Sequence, residues 1–320
     1  MKKLEEILFK AMGTRISLTV AHEQAHEILA EAKRRLLDYE KRFSANDADS
    51  LLMQVNAKAG ISPVKVDDDI FKLIAIGKRY SLQENTCLNI AIGPLVKLWK
   101  IGFKGANLPD ENMIQNRLVL TDPRNIILDE QAKTVYLLKK GMEIDLGALA
   151  KGYFADLIKE FFLSKGVQSG MINLGGNVLL VGDHPENPGG FWRVGVQDPE
   201  QHRNHLSGII QFQDGSVVTS GIYERQFEYE DKSYHHIFDP QTGYPVESDI
   251  AGLTIVSKSS LVGEIYTSLY FNRSSNDLLN QLSSVVGIEA VVIRKDGQVL
   301  LTEGMKPFYT PVTQVASPYN

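Results

Sequence analysis

Three short stretches carry side chains with chemistry to offer. Asp145 is followed by Gly147 and then by Leu149, Tyr153, Leu157 and Phe161 at four-residue spacing, the mark of a helix that Gly166 would stop. A carboxylate at the end of an extended piece, a glycine and a helix N-terminus make a natural seat for a phosphate or a phosphate-bound cation. Glu264 and Ser268 stand four apart on another helical stretch, so their oxygens share one side of it. Hard oxygens of this kind suit Mg2+, which keeps several waters and needs few protein ligands. His236 precedes the turn Asp239-Pro-Gln-Thr-Gly243, which can fix its position. An imidazole titrates near neutrality and could take a proton from a hydroxyl. His235 should face the opposite side of the strand, so only one of the pair enters a site. Each feature also has a structural use: Asp and Gly cap and turn many strand-to-helix junctions, a helix-end carboxylate can be solvated, and a strand histidine can be packing.

The elements that must position these groups follow from the pattern. A strand is predicted over 14–20, and helices over about 24–42, from Asp49-Ser50 to about 59, and over 67–82. Residues 89–99 read as a short apolar strand, a Gly93-Pro94 break and a helical turn, and 112–119 as a brief helix. Thr134–Leu138 and Met142–Asp145 around Lys139-Lys-Gly141 look like a hairpin leading into the central helix. Residues 171–181 read as one strand interrupted by Gly175-Gly176, a sign of a bulge or of another molecule close to the backbone. Further hairpins are predicted at 207–219 through Asp214-Gly215 and at 225–238 through Glu230-Asp-Lys232. A strand over 251–257, a helix over 259–271 and a last tight turn near 294–299 complete the chain. Hairpins mixed with separate helices argue for an α+β fold, a single intertwined unit over 1–320 of antiparallel or mixed sheets with flanking helices. A doubly wound parallel sheet fits less well.

Composition narrows the function classes. The 320 residues carry a formal net charge of −5 and no strong basic run, which argues against a nucleic-acid partner. A single cysteine, Cys87, excludes an internal disulfide and a multi-cysteine zinc site. No apolar run approaches the ~20 residues of a membrane span. The opening Met-Lys-Lys-Leu-Glu-Glu lacks the pattern of a secretory signal and a cysteine to lipidate, so the chain as given reads as cytoplasmic. An exported lipoprotein whose leader is missing from this sequence would look the same.

Three stretches together resemble one family. Asp145–Tyr153 (DLGALAKGY), His236–Pro245 (HIFDPQTGYP) and Gly263–Phe271 (GEIYTSLYF) are similar to the ApbE flavin transferases, which cleave FAD and attach FMN to a Ser or Thr of an acceptor protein. Met12-Gly-Thr14, Phe43-Ser44, Asp49-Ser50, Asn56, residues 89–99, Asn173-Leu-Gly-Gly176 and Thr219-Ser-Gly221 match in the family's order, over about residues 11 to 272. The resemblance implies Mg2+ as cofactor, FAD as substrate and release of AMP. A divalent cation neutralises the charge of a pyrophosphate under in-line attack. By the same resemblance Glu264, Ser268 and the Ala148 carbonyl hold the metal, and His236 is the base. Met12, Asn46, Cys87, Leu88, Asn89, Asp145, Lys151 and Phe238 line the FAD site, with Ser220 and Gly221 offering hydroxyl and backbone donors.

Four residues depart from the family's pattern. Glu264 and Ser268 stand where the family has Asp and Thr, and the longer Glu would shift the ion by about one methylene. Asn89 replaces a usual Asp. Asn46 replaces a usual Tyr, which would admit water and favour hydrolysis of FAD to FMN and AMP. An FAD pyrophosphatase, or a non-catalytic FAD-binding protein, are therefore the alternatives to a transferase.

Overall fold

The computed structural model describes residues 3–201 and 205–312. The chain opens with a hairpin, β1 (Glu5–Ala11) and β2 (Thr14–Val20), whose turn holds Met12 and Gly13 at positive φ (52° and 69°). Helix α1 (Ala25–Phe43) buries Ile28, Leu29, Leu36 and Tyr39 along one face. In α2 (Leu51–Ala57) the Ser50 hydroxyl caps the first turn by accepting from Met53 N–H. The short β3 (Val64–Lys65) leads to α3 (Asp68–Ser81), where Asp67 accepts from Ile70 N–H and Asp68 and Asp69 complement the dipole. Then come α4 (Gly93–Trp99), with Pro94 in its first turn, and α5 (Glu111–Leu118). A hairpin follows, β4 (Ile126–Asp129) and β5 (Thr134–Leu137), before α6 (Ala150–Ser164).

The second half is mostly strand. It runs through β6 (Gly170–Leu174), β7 (Asn177–Val181), β8 (Trp192–Gln197), β9 (Leu206–Phe212), β10 (Gly215–Gly221), β11 (Gln226–Tyr229), β12 (Lys232–His235) and β13 (Ile250–Ser257). Helices α7 (Ser260–Leu269) and α8 (Ser275–Ser283) come next, and β14 (Glu289–Arg294), β15 (Val299–Leu301) and β16 (Tyr309–Pro311) finish the described chain.

The strands form one eight-stranded sheet, ordered β1-β2-β6-β7-β10-β13-β14-β15, and three small ones, β16-β9-β8, β3-β5-β4 and β11-β12. Every pairing is antiparallel. The fold is therefore α+β, as expected, with no parallel ladder among the described residues. The large sheet is covered on both faces. Leu179 and Val181 of β7 point to the main core with Leu36, Phe154 and Phe162, while Val178 and Leu180 point to a second core with Trp192, Ile210 and Tyr309. Burial on both sides explains why β13 is apolar along nearly all of its length, with every residue buried.

Four sequence-based expectations are corrected. Residues 142–145 form no strand. Their backbone is held by a side chain and a loop instead: Ile144 N–H donates to Asn56 Oδ1 (2.8 Å) and Asp145 N–H to the Ile90 carbonyl (2.9 Å). The hairpin before α6 is β4–β5, one step earlier in the chain. Residues 89–92 are not a strand either, because Asn89 Oδ1 captures Ala91 N–H (2.8 Å) and the Ser81 hydroxyl captures Ile90 N–H (2.9 Å). Gly175-Gly176 is not a bulge but the two-residue turn of the β6–β7 hairpin, both glycines at positive φ.

Finally, β9 and β10 do not pair, since they belong to different sheets. Asp214 Oδ1 accepts from Lys159 Nζ (2.8 Å) and Gly182 N–H (3.0 Å), which draws the turn towards α6 and β7.

Candidate active site

The site is built where α6 starts against α7. Gly152, in the first turn of α6, has no room for a side chain: a Cβ there would lie 2.6 Å from the Ser260 carbonyl oxygen and 2.7 Å from Glu264 Cγ. This close approach brings Lys151 Nζ to 3.6 Å from Glu264 Oε1. Glu264 is only 3 % exposed, so it is not the solvated helix-end carboxylate its position also allowed. Its Oε1 accepts from Asn177 Nδ2 (2.8 Å), and the Ser260 hydroxyl donates to Asn177 Oδ1 (2.6 Å). A buried carboxylate needs such partners to stay charged. Asp156, one turn along α6, clamps the α7 N-terminus, accepting from Ser260 N–H (2.7 Å), Leu261 N–H (3.0 Å) and the Ser259 hydroxyl (2.6 Å). Burial pushes its pKa up against those bonds.

Ser268 lies one turn beyond Glu264 on the same helix and is half-buried, and Ala148 is exposed at the entrance to α6. Glu264, Ser268 and the Ala148 carbonyl are all hard oxygen donors, the chemistry Mg2+ favours. Among the described residues no cluster of three or more His, Cys, Asp or Glu side chains could hold a metal. One protein carboxylate with hydroxyl, carbonyl and phosphate oxygens is a donor set that Mg2+ accepts, so the residues present fit the ion.

Asp145 closes the other side of this helix start. Its Oδ1 accepts from Gly147 N–H (2.7 Å), burial raises its pKa, and the positive charges of Arg225 and Lys97 act against that rise. Asn56 fixes the preceding residue from both ends, its Nδ2 donating to the Ile144 carbonyl (3.0 Å).

The two histidines part as expected. His235 is buried; its Nδ1 accepts from Ile237 N–H (3.3 Å), which assigns the proton to Nε2, the donor to the Val246 carbonyl (3.0 Å). Both nitrogens are occupied. His236 is half-buried at the end of the β11–β12 hairpin, its Nδ1–H donating to the Arg225 carbonyl (3.2 Å) and its Nε2 unprotonated. Crowding by protein lowers its pKa to about 4, and the charges of Arg225 and Lys151 and the neighbouring His235 add to the effect. At neutral pH His236 is thus an uncharged imidazole with a free lone pair. The turn after it is rigid: Asp239 Oδ1 accepts from Gln241 N–H (2.8 Å), Gly243 N–H returns to the Asp239 carbonyl (2.8 Å), and Trp99 Nε1 anchors the Gly243 carbonyl (3.0 Å).

The structure therefore brings Lys151 beside Glu264 and lets its charge act on the His236 ring, while Asp145 shares with His236 only the charge of Arg225. The other expected nucleotide contacts are spread around them. Met12 sits in the β1–β2 turn, its N–H on Glu40 Oε1 (2.5 Å), and Asn46 is exposed between α1 and α2. Cys87 N–H donates to the Leu269 carbonyl at the end of α7 (2.8 Å), and burial pushes its thiol up to about 12, so it is no nucleophile. Leu88 is buried. Asn89 uses its Nδ2 on the Thr121 carbonyl (2.8 Å), so its amide is committed to the loop at both ends, although it also borders a cavity of about 280 Å³ with Thr86, Asp122, Arg124 and Gln241. Ser220 and Gly221 end β10. The Phe238 ring packs against Trp99, centroids 6.0 Å apart, in a cluster with Leu95 and Ile114. Asn177 and Arg225 escaped the sequence reading. Asn177 follows directly on the Asn173-Leu-Gly-Gly176 motif, which was the one available signal.

Similarity to known proteins gives this geometry a context. Residues 12–292 match the ApbE family. A FAD:protein FMN transferase of Klebsiella pneumoniae is 37% identical over 302 residues, 94% of this chain and 92% of that protein. The chain belongs to the ApbE family. A FAD:protein FMN transferase of Treponema pallidum is 32% identical over 293 residues, 88% of this chain and 81% of its own length. The crystal structure of the ApbE protein of Thermotoga maritima superposes with a TM-score of 0.87 at 25% identity, covering 96% of this chain and 99% of that one. The Vibrio cholerae flavin transferase ApbE shares the fold, with a TM-score of 0.81.

Proposed function

We propose that this chain is an FAD:protein FMN transferase that moves FMN from FAD to a Ser or Thr hydroxyl of an acceptor protein and releases AMP. The observation that carries the reading is His236: uncharged, its tautomer fixed by the Arg225 carbonyl, and within the electrostatic reach of Lys151 at the start of α6, which in turn pairs with Glu264 of α7. Nε2 takes the proton of the acceptor hydroxyl as its oxygen forms a bond to the FMN phosphorus. The bond from that phosphorus to the bridging oxygen breaks, and the electron pair leaves with AMP. Lys151 and the first-turn N–H groups of α6 face the diphosphate's negative charge. Glu264, Ser268 and the Ala148 carbonyl would hold Mg2+, which supplies charge neutralisation to the diphosphate.

The reading is tested by incubating the protein with FAD, Mg2+ and an acceptor domain. Fluorescent flavin bound covalently to the acceptor, with equimolar AMP, is the expected result. Unmodified acceptor beside intact FAD would overturn it, and free FMN with AMP in the absence of acceptor would establish hydrolysis instead. No helix among the described residues is long and apolar enough to cross a membrane.

A further inference from the structure

Arg225 shows a combination unlike any other cation near the site. Its main-chain carbonyl receives both the backbone N–H and the ring Nδ1–H of His236, each at 3.2 Å. Its side-chain stem lies close against Gly102, since a Cβ there (φ +83°) would stand 2.6 Å from Arg225 Cδ and 3.0 Å from Cγ. Its guanidinium carbon stands 6.0 Å from the Phe103 ring centroid. The guanidinium itself has no hydrogen bond or ion pair with the described residues, although its charge acts on both Asp145 and His236. Arg225 is exposed, and a fork with no such partner, whose charge acts on both a carboxylate and an imidazole, is open to an anion arriving from solvent. Guanidinium geometry matches two phosphate oxygens at once, which a lysine ammonium cannot do.

We propose that the Arg225 guanidinium is a phosphate anchor of this site, binding the diphosphate of the dinucleotide and the phosphate of the departing AMP. The inference rests on the transferase reading for the identity of the nucleotide. Because one residue holds the phosphate with its side chain and His236 with its carbonyl, phosphorus and base are kept in register by a single backbone position. Lys151 and Arg225 then approach the diphosphate from different elements, α6 and the segment before β11.

The test compares Arg225→Gln and Arg225→Lys with the unaltered chain by titrating FAD, AMP and riboflavin, followed by flavin fluorescence or calorimetry with Mg2+ present. Loss of a charge-assisted bond of about 1.5–3 kcal/mol corresponds to roughly ten- to a hundredfold in affinity. Arg225→Gln should weaken FAD and AMP by that factor and leave riboflavin, which has no phosphate, unchanged. Arg225→Lys keeps the stem against Gly102 and the charge but not the fork, and should fall between. A second readout separates anchoring from mere packing. The charges facing the His236 ring are those of Arg225, Lys151 and His235, so removing the first should move the acid limb of the transfer rate to higher pH. If Arg225→Gln is folded and binds FAD and AMP as the unaltered chain does, the anchor is refuted. Should Arg225→Gln fail to fold, equal binding of FAD and AMP by Arg225→Lys refutes it equally. Binding is measured without an acceptor, so a chain that binds FAD through Arg225 but transfers nothing sinks the proposed function and leaves the anchor standing.

Discussion

The two halves of the site are built by opposite means. The Glu264 half is interior: a buried carboxylate bound to Asn177, which is bound to Ser260, on a helix whose N-terminus is held by three bonds to Asp156. Glycine at 152 lets α6 touch α7 directly. The His236 half is peripheral, at the end of a two-stranded hairpin outside the large sheet, with a half-buried ring tied by one side-chain bond to a carbonyl. The first half can hold charge in a fixed place at low dielectric. The second leaves one ring nitrogen open to whatever hydroxyl arrives. In the proposed reaction, substrate charge is met by the rigid half and the proton by the open one.

Breaking the open half should have the largest effect on chemistry and the smallest on stability. His236→Ala is expected to slow FMN transfer by about 10²–10⁴-fold, the range of a general base, with a melting temperature close to that of the unaltered chain. Transfer assayed by acceptor fluorescence, beside a thermal melt, checks both halves of that statement. Asp156→Ala reverses the pattern. It strands the N–H groups of Ser260 and Leu261 and the Ser259 hydroxyl, and should cost about 2–4 kcal/mol in a denaturant titration. A destabilisation under about 0.5 kcal/mol would show that the α7 clamp is not what fixes Glu264.

Gly152→Ala is the sharper probe of the rigid half. The added methyl meets the Ser260 carbonyl and Glu264 Cγ, so α6 and α7 must separate, at about 1–3 kcal/mol. Magnesium-dependent thermal stabilisation should shrink with it, and a variant that melts and responds to Mg2+ normally would contradict the packing argument. The smallest effect concerns His235. Its pKa is lowered to about 4 mainly by burial, below the ordinary value near 6.5. The unfolded chain therefore binds this proton first, and stability falls as pH drops from about 6.5 towards 4. His235→Gln should flatten that part of the pH–stability curve, and an unchanged slope would mean that another group sets it.

Much of this was legible in the chain. The helix spacing after Asp145, the Ser50 and Asp67 caps, the His236 turn and the Glu264–Ser268 pair all sit where local pattern places them, because helix periodicity and capping are local. What escaped depends on distant partners. Nothing near Ile144 announces that Asn56, 88 residues earlier, will take its hydrogen bonds in place of a strand. Alternation in 207–219 identifies two strands but not that Lys159 and Gly182 pull their junction towards another sheet. Gly175-Gly176 fits a bulge and a hairpin turn equally until register is known. Arg225 and Asn177 belong to no motif in the sequence, and that one lies against Gly102 and the other bonds Glu264 shows only in the fold.

The most direct test of the whole account is the mass of an acceptor protein after reaction with FAD and Mg2+, run in parallel with this chain and with His236→Ala. The account predicts an acceptor heavier by FMN less one water with the unaltered chain, AMP released in equal amount, and little modification with His236→Ala. Equal modification by both proteins, or an acceptor of unchanged mass with FAD intact, would contradict it.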